Sequence, residues 1–182
     1  MQLSSSQNSL FETIRRAFIP KLGALVALYN EYTNSSYYVE GETRDNQFVG
    51  RVPVGEQEFE KILDSMGFTR NPLASLKSIS TGEIEEGSFR WIPSEDTDLD
   101  NDYQLHCVIY DGSLIPDADT GETYVYAHWE YRWDVYPIRH YRAKNFDASM
   151  GVDLMQTMLY ENYVEYDYQL PPTHNEYNKR KE

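Results

Sequence analysis

Residues 123–133 read TYVYAHWEYRW, eleven positions dense in aromatic and β-branched side chains and free of glycine and proline. Such a run suits a pleated strand. Strand side chains alternate between two faces, so the stretch divides by parity. Thr123, Val125, Ala127, Trp129, Tyr131 and Trp133 fall on one face, and Tyr124, Tyr126, His128, Glu130 and Arg132 on the other. The first set is the better core face, which amphipathic helices are expected to cover. Upstream, YQLHCVIY (103–110) divides in the same way. Leu105, Cys107 and Ile109 face inward, and His106, Val108 and Tyr110 outward. Antiparallel pairing of the two strands would make His106 and His128 neighbours, although the long intervening loop leaves the register open.

The outward set has the chemistry of a docking face. Tyrosine and arginine are enriched at the energetic centres of protein interfaces, where they combine large area with a polar handle. His106, Tyr110, Tyr124, Tyr126, His128, Glu130 and Arg132 are therefore the candidate partner-binding residues. The competing expectation is a solvated sheet face whose residues pair across strands.

Outward from this strand, periodicity organises the rest. In GEQEFEKILDSMG (55–67), Phe59, Ile62, Leu63 and Met66 recur at helical spacing, with glutamates at the start and Gly67 as the stop. Asp147 is placed to cap a second amphipathic helix carrying Met150, Leu154, Met155, Met158 and Leu159. FVGRVPV (48–54) reads as an edge strand, and LASLKSIS with SFRWI as a hairpin or strand pair. Residues 10–32 show helical periodicity, with Pro20 predicting a kink or a junction of two helices. The expected fold is α+β: an antiparallel sheet of four to five strands with helices on one face. Residues 1–36 form an N-terminal helical segment, 37–163 the α+β domain, and 164–182 an extended polar tail.

Composition narrows the function classes. Hydrophobic residues make up 40% of the 182 and aromatics 14%, enough for a core. Thirty acidic residues against sixteen basic leave a formal charge of −14, which repels phosphate backbones, so nucleic acid is not an expected partner. Ten arginines against only six lysines, with acid dispersed over the chain, suit either a protein kept soluble in concentrated salt or an ordinary acidic protein. The single cysteine, Cys107, excludes an internal disulfide. The longest apolar stretch, AFIPKLGALVALY (17–29), is shorter than the roughly 20 residues that span a bilayer. The polar opening MQLSSSQNS lacks a secretory pattern, so secretion by a signal peptide is not expected.

Several chemistries fail on spacing. Two-histidine phosphoesterases place a hydroxyl residue two positions after each histidine, and here those positions hold Val108 and Glu130. DTDLDND (96–102) alternates carboxylates like a calcium loop but has no glycine at its sixth position and Cys107 at its twelfth. His128 and Glu130 share a face and could ligate zinc, but sequence shows no third ligand. Neither a metal nor a cofactor is assigned. The internal basic cluster PIRHYR, with Arg139, His140 and Arg142, reads as surface charge answering the surrounding acid.

The run from FEKILDSMGFTRNPLASLK through EGSFRWI, YQLHCVIYDG, YVYAHWEYRWDVYPIRHYR and GVDLMQTML resembles uncharacterised small acidic proteins of haloarchaea and their tailed viruses, over residues 48–160. The resemblance implies a salt-adapted, virion-associated protein and carries over no catalytic residue. The expected function is a non-enzymatic structural or assembly protein, a neck, tail or capsid-associated virion component whose partners are other protein subunits, copies of itself among them. One alternative is a small hydrolase or phosphoesterase using His106, His128 and Glu130. Another is a peripheral membrane protein anchored by its N-terminal helix.

Overall fold

The computed structural model describes residues 5–37, 40–71, 76–79, 85–114, 121–168 and 170. In chain order the elements are helix α1 (Ser5–Thr33), strands β1 (Glu40–Glu42) and β2 (Phe48–Val52), helix α2 (Glu56–Ser65), strands β3 (Thr69–Arg70), β4 (Leu76–Ser78), β5 (Gly87–Trp91), β6 (Tyr103–Asp111) and β7 (Thr123–Tyr131), and helices α3 (Pro137–His140) and α4 (Ala148–Glu161). Five strands form an antiparallel sheet in the order β2-β7-β6-β5-β3. The fold is α+β, as the alternation of long strands and loops implied.

At the centre, β6 and β7 pair from Tyr103 opposite Tyr131 to Asp111 opposite Thr123. One face of this ladder carries Leu105, Cys107, Ile109, Val125, Ala127 and Trp129, all buried. Phe59 and Leu63 of α2 and Met155 and Leu159 of α4 close over them. The helical stripes read from sequence are the ones that pack. Asp147 caps α4 by accepting from the Met150 backbone N–H at 2.9 Å. Its own backbone also exchanges two hydrogen bonds with Trp129, at 2.8 and 2.9 Å. Strand β2 reaches only as far as Tyr126, so Asp147 takes up the edge of β7 beyond it.

The opposite face departs from expectation. It holds Tyr124, Tyr126, His128 and Glu130 of β7 with His106, Val108 and Tyr110 of β6, each at most 2% exposed. Parity is right, since Trp129 and Tyr126 lie on opposite faces, but neither face is wet. Strands β1 and β4 pair in parallel as a separate two-stranded sheet. Their surroundings supply the cover: Thr43 hydrogen-bonds Tyr110 across 2.8 Å, and Ile79 and Phe48 join the buried tyrosines. Tyrosine and histidine tolerate both water and a polar interior, so their alternation could not distinguish a solvated face from an internal layer. The covering residues come from distant parts of the chain. The docking face expected from sequence is therefore enclosed within the molecule.

Further expectations need correction. LASLKSIS and SFRWI do not pair with each other: β4 joins β1, and β5 pairs with β3 and β6. Trp133 lies beyond the end of β7 and is half-buried, its ring under the Arg90 guanidinium at 4.9 Å. Helix α1 runs unbroken from Ser5 to Thr33, so Pro20 is not a junction of two helices. The tail expected over 164–182 begins as part of the body. Val164 and Tyr166 pack on the core, and Asp167 exchanges backbone hydrogen bonds with Arg51 at 2.8 and 2.9 Å. Residues 171–182 lie outside the described residues.

Helix α4 crosses β7 at Gly151, where an added β-carbon would overlap the His128 backbone. Helix propensity alone would reward Gly151→Ala by about 1 kcal/mol. Overpacking against backbone costs about 1–3 kcal/mol or more, so the net effect is destabilising. Chemical denaturation should show a lowered midpoint for Gly151→Ala. A raised midpoint would mean that α4 stands clear of the strand.

Candidate functional site

The β6–β7 register sets His106 directly opposite His128 and Gln104 opposite Glu130. All four project into the second buried layer. His106 Nδ1 lies 3.0 Å from His128 Nε2 and 2.9 Å from Glu130 Oε1, and His128 Nε2 lies 3.4 Å from Glu130 Oε2. Gln104 donates to Glu130 Oε1 at 3.1 Å. From α3, His140 Nδ1 bonds the Tyr131 carbonyl at 2.9 Å and sits 3.4 Å from Glu130 Oε2. Ser88, one strand over on β5, contacts His106 Nε2 at 2.6 Å. Phe146 stacks on the His128 ring with centroids 4.4 Å apart.

Burial governs the protonation of this cluster. It lowers His106 to about 3, more than neighbouring Glu130 raises it, and it lowers His128 in the same way. Both imidazoles are thus neutral at ordinary pH. Burial alone would raise Glu130, but the two facing histidines hold it well below the usual carboxylate range. Cys107, on the other face, is pushed upward by burial and is neither a nucleophile nor a ligand.

Ser88, His106 and Glu130 follow the atom order of a serine-hydrolase triad: hydroxyl to Nε2, Nδ1 to carboxylate. Access decides against that chemistry. Ser88 is 1% exposed and points inward from a regular strand, so a substrate carbonyl cannot reach its Oγ. A groove of about 680 Å³ lies between β1 and the start of α4, with Glu42, Arg44, Lys77, Phe146 and Asp147 in its wall. Phe146 separates it from His128.

Of the seven residues expected to bind partners, the structure brings together His106, His128 and Glu130 in the cluster. Tyr110, Tyr124 and Tyr126 belong to the adjoining aromatic layer with Phe48. Arg132 stands apart at the strand end, half-buried, bonded to Asp134 at 3.0 Å and to the Asn101 carbonyl at 3.0 Å. Sequence reading missed Ser88, Gln104 and Lys77. Gln104 had a signal, since it shares strand parity with His106. Ser88 and Lys77 had none, because the β5–β6 pairing brings Ser88 near and the cover of the separate β1–β4 sheet brings Lys77.

Two outcomes follow from this burial. A fluorophosphonate probe should leave Ser88 unlabelled in the folded protein, and labelling would show that the second layer opens. Acid should also destabilise the fold before carboxylates titrate. An unfolded histidine takes up a proton near pH 6.5, whereas buried His106, facing Glu130, His128 and Lys77, does so only near 3. The unfolded state therefore binds more protons between these values, and stability falls as pH falls. The loss approaches about 1.4 kcal/mol per pH unit for each such histidine. Urea midpoints at pH 7 and pH 5 measure it. Equal midpoints would show that the imidazoles titrate as in water.

Comparison with known proteins returns no matching family model, no matching curated protein and no matching solved structure. The residues themselves carry the functional argument.

Proposed function

We propose that this chain is a non-enzymatic assembly protein that associates with further copies of itself through α1. The observation that carries this is the exposure of the helix. Seven of the twelve large hydrophobic side chains exposed among the described residues lie on it: Ile14, Phe18, Leu22, Leu25, Leu28, Tyr29 and Tyr32. Phe18, Leu25 and Tyr32 recur every seventh residue, as do Leu22 and Tyr29. That repeat makes a stripe suited to a second helix. Such a patch on a polar-surfaced protein marks an interaction site.

Charge favours a copy of the same helix as the occupant. Between Ser5 and Thr33 there are three basic and two acidic residues in a chain of −14. Contact through α1 therefore brings two acidic bodies together at their least repulsive part. The setting we propose is a tailed-virus particle, as a neck, tail or capsid-associated component. It rests on the resemblance of residues 48–160 and on this helix. The hydrolase reading is weaker because its three residues are enclosed. No described helix is long and apolar enough to cross a membrane.

Sedimentation equilibrium should show concentration-dependent self-association of the full chain. The double variant F18E/L25E should be monomeric with an unchanged melting transition for the β-sheet body. A wild-type monomer would overturn the proposal. Vesicle binding by that monomer, lost in the variant, would instead make α1 a membrane-surface anchor.

A further inference from the structure

We propose that His106, His128 and Glu130 form a binding site for one first-row divalent transition-metal ion, with Zn²⁺ the ion to test. Ser88 and Gln104 hold its ligands in place. The three side chains are fully buried, and each offers a ligand atom within 4.8 Å of the others. His106 Nδ1 lies 3.0 Å from His128 Nε2 and 2.9 Å from Glu130 Oε1, and His128 Nε2 lies 3.4 Å from the other carboxylate oxygen, Oε2. Zinc bonds of 2.0–2.2 Å to imidazole and carboxylate imply ligand separations of about 3.0 Å in octahedral and about 3.3 Å in tetrahedral geometry. The two nitrogens and the two carboxylate oxygens, one facing each histidine, lie at spacings close to these.

Protons satisfy this triangle of side chains poorly. With a proton on His106 Nδ1 alone, the 3.4 Å side sets the His128 lone pair against the carboxylate. With one on His128 Nε2 alone, the 2.9 Å side sets a bare Nδ1 against the carboxylate. With both protonated, two N–H groups meet across 3.0 Å. Each arrangement leaves one side repulsive, whereas a central cation meets three lone pairs. His128 Nδ1 has no hydrogen-bond partner, in either tautomer, and so does not choose between the states.

The surroundings fit an ion. His106, ligating through Nδ1, carries its remaining proton on Nε2, where Ser88 Oγ accepts it at 2.6 Å. Gln104 anchors Glu130 Oε1. These are the outer contacts by which metal ligands are oriented. Formal charge agrees: among the described buried residues, Glu85 and Glu130 are the carboxylates and Lys77 the one lysine, leaving a net negative charge. Two imidazoles and a carboxylate suit zinc and its neighbours more than the hard cations. Three protein ligands leave a coordination position for water or a small ligand. Phe146, stacked on His128 and lining the groove, marks the route of entry.

The test uses the full chain, stripped with chelator and labelled with ¹⁵N-histidine. Zn²⁺ titration by calorimetry should show one saturating equivalent that excess Mg²⁺ does not displace. The ring nitrogens His106 Nδ1 and His128 Nε2 should move to metal-bound shifts while those of His140 and His174 stay in place. His128→Asn should weaken binding at least 100-fold and Ser88→Ala about tenfold. The wild-type ring resonances decide the matter even where His128→Asn fails to fold. Absence of a saturating equivalent, displacement by Mg²⁺, or saturation without movement of these two rings would overturn the site and leave the acidic loops as the binders.

Discussion

The antiparallel ladder between Tyr103–Asp111 and Thr123–Tyr131 is the constraint from which the rest of the molecule follows. Side chains alternate with a period of two, so one pairing fixes the face of every residue on both strands. Slipping β7 by one residue would carry His128 and Glu130 into the apolar layer under α2 and α4, and Ala127 and Trp129 into the polar one. Neither layer could accept that exchange. The apolar side has no partner for a carboxylate, and the polar side would lose the contacts that hold its cover.

Burying the polar layer requires a partner for each group it contains, since an unpaired buried donor or acceptor costs about 1–3 kcal/mol. The small β1–β4 sheet and Glu85 meet part of that need, while His128 Nδ1 and Gln104 Oε1 are left without a partner. Thr43 takes the Tyr110 hydroxyl, and Glu85 accepts the Lys77 backbone N–H at 2.8 Å while its own N–H bonds the Lys77 carbonyl. Because hydrogen bonds are directional where apolar contacts are not, this layer fixes the position of the cover more tightly than apolar packing would. The His106–His128–Glu130 cluster brings three buried titratable side chains of that layer together. Its preorganisation is a by-product of the same ladder.

Helix α1 obeys a different logic. At 29 residues it is about 44 Å long, and seven of its large apolar side chains are exposed. Each fully buried leucine or phenylalanine contributes about 1.5–3 kcal/mol, and within one chain the helix forgoes most of that. The molecule thus combines a body whose polar aromatic strands are hidden with an arm whose apolar stripe is displayed. The surface that looked adhesive in sequence is interior, and the exposed apolar surface lies on the N-terminal helix.

Local pattern alone determined much of this protein. The period of TYVYAHWEYRW made it a strand, and the spacing of Phe59, Ile62, Leu63 and Met66 made a one-sided helix. Asp147 announced the cap of α4, and Trp129 and Tyr126 were assigned to opposite faces. These are properties of neighbouring residues and need no partner to be read. Tertiary structure decided what covers each face and which strands meet. Tyr, His and Glu at alternate positions fit water or a satisfied interior equally well, and residues some fifty positions away made the choice. The loop between the two central strands left the register open, so the opposition of His106 and His128 and the approach of Ser88 from β5 existed only once the sheet had formed.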